Sequence, residues 1–157
     1  MRAETSVYSF RYYTLRIVFY DGSIVGYTVG NDVSSRAIKG DNLLYLPQAK
    51  TYERCCSIGP VVASVGSIDD PYELTISMEI SRDGEILYED ETSTGNMARS
   101  CDELVTYWRD PDVVSELAVL LTATSLVPDD GFTLEPSDEV HIAIDEIGEL
   151  TNPVVEV

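Results

Sequence analysis

The stretch from Leu74 to Glu91 leaves a folding chain little choice. Leu74, Ile76, Met78 and Ile80 alternate with polar residues, the period of a strand with one buried face. Asp83-Gly84 is a two-residue turn signal, and Glu85 to Glu91 returns as the partner strand. A second hairpin stands near the start: Leu15 to Tyr20, a turn at Asp21-Gly22, then Ile24 to Asn31. Leu117 to Thr122 reads as a buried strand, and Val140 to Ile144 as the last clear one, with regular structure ending at Asn152-Pro153. One helix stands out. Ser100 caps it, Glu103 completes a capping box, Leu104, Val105, Tyr107 and Trp108 form its apolar stripe, and Pro111 stops it. Trp108 reads as core. The expected class is α+β, predominantly β, in one domain with one or two helices.

Charge narrows the partners. The chain has 28 Asp and Glu against 10 Lys and Arg, a formal net charge of −18. The acid is spread over the whole length, which suits a protein adapted to high salt, where the Debye length is about 3 Å and surface carboxylates no longer repel one another. Such a surface repels nucleic acid. No apolar run approaches the roughly 20 residues of a membrane span, and a cytoplasmic location is expected. Three cysteines give no complete disulfide framework; Cys55 and Cys56 are adjacent, without metal-site spacing, and are expected to be reduced and buried. The only histidine, His141, is expected on the polar face of its strand.

Unlike chemistries crowd into Val25–Val62. Asp32 ends a strand, where scaffolds present functional groups and where a carboxylate suits a hard cation or a turn. Arg36 can clamp a carboxylate through two hydrogen bonds. Gln48 and Lys50 share one face if their segment is extended. Lys50 is one of only two lysines, with Lys39; it can polarise a carbonyl, stabilise an enolate, take a proton or simply be solvated.

The runs G-Y-T-V-G-N-D-V-S-S-R (Gly26 to Arg36), L-P-Q-A-K (Leu46 to Lys50) and S-I-G-P (Ser57 to Pro60) resemble the fumarylacetoacetate hydrolase family. The longer form L-Y-L-P-Q-A-K-T-Y-E-R-C-C-S-I-G-P is most similar to its 2-keto-3-deoxy-D-arabinonate/xylonate dehydratase branch, and with the acid excess implies a haloarchaeal member. L-L-T-A-T-S-L-V-P-D-D, F-T-L-E-P-S-D-E-V and I-G-E-L-T-N-P-V extend the resemblance to about Val154. It implies a mixed-strand β roll or flattened barrel, usually dimeric. It also implies Mg²⁺ (or Ca²⁺, Mn²⁺) held by two glutamates and an aspartate, and a small 2-keto acid substrate. On the matching positions, Asp32 is the metal ligand, Lys50 the catalytic lysine, and Arg36, Gln48 and Thr124 the substrate contacts. The implied reaction is dehydration of a 2-keto-3-deoxy pentonate to an α-ketoglutarate semialdehyde in pentose breakdown.

The family's glutamate pair precedes the strand that here begins at Leu15. Aligning that strand puts Tyr12 and Thr14 in the glutamates' places, and neither replaces a carboxylate; Glu4 stands too far upstream. The family's glycines beside Thr124 are Ala123 and Ser125. The expectation is therefore a divergent N-terminus over residues 1–14 and a partial catalytic domain over 15–157. The alternatives are a hydrolase of a β-diketo acid, and a remnant without catalysis that serves as a binding or interaction module.

Overall fold

The computed structural model describes residues 9–35, 38, 42–110, 115–122, 126–129 and 131–155, with Leu43 as backbone and side chains in the first strand from Leu15 onward. Strand β1 (Ser9–Tyr20) turns at Asp21-Gly22 into β2 (Ser23–Ser34). The short strands β3 (Cys56–Ile58) and β4 (Ala63–Ser64) both pair with β2. The second hairpin is β5 (Thr75–Arg82) and β6 (Glu85–Ser93). Helix α1 (Cys101–Arg109) follows, then β7 (Leu117–Leu121), β8 (Glu139–Ile144) and β9 (Gly148–Pro153). One sheet has the order β3-β2-β1-β7 with β4 beside β2, and the other β6-β5-β8-β9. Every pairing among the described strands is antiparallel, where mixed strands were expected.

Alternation decides the core. Leu15, Ile17 and Phe19 of β1 with Tyr27 and Val29 of β2 face Ile76, Met78 and Ile80 of β5 and Val140, Ile142 and Ile144 of β8. Helix α1 closes one end. Its capping box is formed as the sequence predicts, its Cys101 and Val105 are buried, and Trp108 meets Phe19 edge-on at 6.1 Å between ring centroids. No helix among the described residues is long and apolar enough to cross a membrane.

Two expectations are corrected and one open reading is decided. Leu117–Leu121 is the edge strand of its sheet, so Leu117 is 63% exposed instead of buried. Val140–Ile144 is not the last strand: β9 follows, and its run G-E-L-T-N-P has too few apolar residues to show a period. Thr51–Ser57, which the sequence leaves open between extended and helical, is mostly turn, with only its last two residues entering β3.

Candidate active site

Strand β2 is covered on both faces, which is why it reads as nearly continuous burial from Gly26 to Asp32. One face meets the second sheet. The other is covered by the chain that returns after β2. Thr28 Oγ1 donates to the Val61 carbonyl at 2.6 Å. A Cβ at Gly26 would run into Ala63 O and Val62. The turn Gln48–Lys50 docks beside the end of β2, its buried Ala49 accepting at its carbonyl from Ser35 N at 2.8 Å.

That docking brings two of the expected residues together. Lys50 Nζ donates to Asp32 Oδ2 at 2.7 Å, with the Asp32 side chain 7% and the Lys50 side chain 25% exposed. The thiol of Cys55 donates to Lys50 O at 3.1 Å, and Tyr52 OH donates to Val33 O at 2.8 Å, so the loop carrying Lys50 is tied to β2 at several points. Gln48 is exposed. The extended segment that would put it on Lys50's face is replaced by a single 3₁₀ turn, because Pro47 and the docking of Ala49 favour a tight bend. Arg36 and Thr124 lie outside the described residues.

Sequence reasoning missed Arg16. It lies on the strand face that bears Gly30 and Asp32 and is fully buried. Its side chain passes over Gly30, where any Cβ would collide with Arg16 Nε, Cγ and Cδ, and its Nη1 donates to the Thr122 carbonyl at 3.3 Å. Burial pushes its pKa down to about 10, against the opposing pull of Cys56 and Asp32. The clue was available: arginine interrupts the apolar run L-R-I-V-F of a central strand, whose partner strand carries a glycine on the same face.

Cys56 pairs across the sheet with Asp32 and is exposed as a residue, and Cys55 is half-buried, which corrects the expectation of two buried thiols. Burial raises the Cys56 pKa, with Arg16 opposing and Asp32 adding to the shift. Cys101 alone is buried. His141 lies on the outer face of the second sheet, as expected, with Nδ1 2.9 Å from Thr151 Oγ1. On the opposite face of β2 from Asp32, a cavity of about 310 Å³ is lined by Asn31, Val33, Tyr52, Ser57 and Asn152 among others; neither Asp32 nor Lys50 lines it.

This two-sheet fold, with an aspartate at a strand end paired to a lysine from the following loop, belongs to the fumarylacetoacetate hydrolase C-terminal family, which residues 21–155 match. Within it the chain is 59% identical over 143 residues to a Haloferax volcanii protein named "Probable 2-keto-3-deoxyxylonate dehydratase", covering 91% of this chain and 50% of that protein. It is 38% identical over 134 residues to the 2-dehydro-3-deoxy-D-arabinonate dehydratase of Saccharolobus solfataricus, covering 85% of this chain and 45% of that one. A solved structure of 2-keto-3-deoxy-D-arabinonate dehydratase complexed with magnesium and 2,5-dioxopentanoate superposes with a TM-score of 0.91 at 34% identity, over 98% of this chain and 54% of that one. The chain thus spans about half the length of the curated relatives it matches.

The described residues do not fit a divalent cation such as the magnesium in that relative's structure. Among the described residues no three of His, Cys, Asp or Glu come together to ligate one. The register puts Thr14 opposite Gly30, and the β1 irregularity between Phe10 and Tyr13 falls opposite Asp32; the residues there, Arg11, Tyr12, Tyr13 and Thr14, offer no carboxylate. Asp32 itself already accepts from an ammonium.

Proposed function

We propose that this chain forms part of a site for a small 2-keto acid and that the protein serves the dehydration of a 2-keto-3-deoxy pentonate. The observation that carries the reading is the Lys50–Asp32 pair at the end of β2, in a chain whose relatives bear dehydratase names. In that reaction a proton leaves C3, hydroxide leaves C4, and negative charge grows on the 2-keto oxygen. Lys50 is the group placed to stabilise that charge: its ammonium is fixed on one side by Asp32 and a quarter of its side chain remains open. Arg36, Gln48 and Thr124 are assigned to the substrate's carboxylate and hydroxyls, and Asp32 to orienting Lys50. A homodimer in the cytoplasm belongs to the same reading.

The test is binding and turnover in molar KCl. 2-Ketobutyrate should raise the thermal midpoint, since a ligand that binds only the folded state stabilises it, and Lys50→Met should remove the rise. Incubation with 2-keto-3-deoxyxylonate, followed by NMR, should give 2,5-dioxopentanoate at a rate that Lys50→Met abolishes. An unchanged midpoint together with an unchanged substrate spectrum rules the reading out.

A further inference from the structure

In the relative solved with magnesium a divalent cation accompanies the product. Here the neighbourhood of Asp32 is already cationic. Lys50 Nζ lies 2.7 Å from its carboxylate, and the buried side chain of Arg16 lies on the same sheet face, across Gly30. A divalent cation at Asp32 would have to displace an ammonium and share a sheet face with a buried arginine, with no group of three His, Cys, Asp or Glu among the described residues to hold it. Like charges beside a buried carboxylate repel strongly. One carboxylate between two cations leaves a single net positive charge, the complement of a monocarboxylate.

We propose that Asp32 takes no divalent cation in this protein, and that Arg16 and Lys50 supply the fixed positive charge there, so that a 2-keto carboxylate is received directly. The cation half of this stands on the geometry alone; the ligand half rests on the function proposed above. Arg16 is a positioning residue: fully buried, it acts through Asp32 and through the local potential, while the partly open Lys50 meets the anion. Gly30 is the vacancy that lets an arginine occupy this face of a central strand. Molar salt assists, because it screens the net charge of −18 and leaves the anion to sense only its nearest groups.

The experiment has two arms in molar KCl. In the first, Mn²⁺ is titrated and the free ion followed by electron paramagnetic resonance. Wild type and Asp32→Asn should give the same curve through the millimolar range; a site present in wild type and absent in Asp32→Asn overturns the proposal. In the second, 2-ketobutyrate affinity is measured with EDTA and with Mg²⁺. Equal affinity supports the proposal, and binding that needs Mg²⁺ overturns it while leaving the functional reading intact. Absence of binding in both removes the functional reading and the ligand half, and the Mn²⁺ arm still decides the cation half. Arg16→Lys should keep the affinity, whereas Arg16→Met should lose about tenfold; an equal loss in both makes Arg16 a space-filler and sinks its role. Should Arg16→Met not fold, Lys50→Met, altered at a partly open side chain, should show the same loss, and an unchanged affinity there overturns the proposal.

Discussion

Gly30 is bare because Arg16 lies across it: a methyl group on that glycine would coincide with the arginine's Cγ, Cδ and Nε. The arginine cannot withdraw, since Leu15 and Ile17 on either side anchor β1 in the core and its Nη1 reaches the Thr122 carbonyl. Gly30→Ala should therefore destabilise the chain by about 1–3 kcal/mol, the range for overpacking a filled interior. Arg16→Ala in the same chain should relieve part of that loss. Chemical denaturation of the two single variants and the double variant gives the coupling; strict additivity would mean that the two side chains do not compete for the space.

Acid should weaken the fold through Asp138. That carboxylate is fully buried and receives Arg82 Nε at 2.6 Å, Arg82 Nη2 at 3.0 Å and Glu135 N at 2.9 Å. Burial alone would raise its pKa, but the Arg82 bonds, the Glu135 amide and the Arg82 charge together hold it below the ordinary aspartate value. A depressed carboxylate contributes stability that is complete above its unfolded pKa of about 3.9 and is lost as pH falls through the folded value. Denaturant midpoints from neutral pH downward should fall below about pH 4, and the deficit of Asp138→Asn relative to wild type should shrink over the same window. A constant deficit would assign the effect to packing.

The capping box at the start of α1 gives a separate handle on stability. Ser100 Oγ accepts from Glu103 N at 3.2 Å, and Glu103 Oε2 accepts from Ser100 N at 2.9 Å. Ser100→Ala should cost about 1 kcal/mol and leave 2-ketobutyrate affinity unchanged, because α1 packs at the Phe19 end of β1. Calorimetry and the ligand titration together check this, and a change in affinity would show that the helix reaches the site.

Thiol labelling should distinguish the cysteines. Cys101 is buried and should react only on unfolding, while Cys56 is exposed as a residue and lies opposite Asp32. Because burial of its thiol raises the Cys56 pKa, its reaction with a disulfide reagent should be slower than that of a free cysteine at neutral pH and should accelerate as the solution becomes alkaline. Cys56→Ser should remove the larger part of the accessible phase, the half-buried Cys55 supplying the rest. Reaction of Cys101 at the same rate in the folded protein would contradict the assigned burial.

Much of the fold was legible because its hairpins are local. Asp21-Gly22 and Asp83-Gly84 mark the two turns, and the alternation of Ile76, Met78 and Ile80 names the inward face. What the sequence hid was set by distant neighbours. Leu117–Leu121 has the composition of a central strand, and only its place at the sheet edge exposes Leu117. β9 lacks an apolar period and exists because β8 offers it a free edge. At the site, the sequence named Asp32 and Lys50 separately, as a metal ligand and a catalytic lysine, and the structure brings the two into contact. Arg16 escaped notice because an arginine within an apolar strand looks like an interruption until its side chain is seen lying over Gly30 on the sheet face.

The pairing of β7 with β1 has a consequence for how the protein is made. β1 meets β2, β5 meets β6, and β8 meets β9 across short turns, whereas Thr122 reaches Arg16 across 106 residues of chain. Closing so long a loop is slow compared with zipping a hairpin. The backbone carbonyl that receives Arg16 should thus arrive late, after the hairpins carrying Gly30 and Asp32 have formed. Pulse-labelled hydrogen exchange during refolding should show the β1–β2 amides protected before those of β7, so that the recognition of ligand marks the completion of folding, well after compaction.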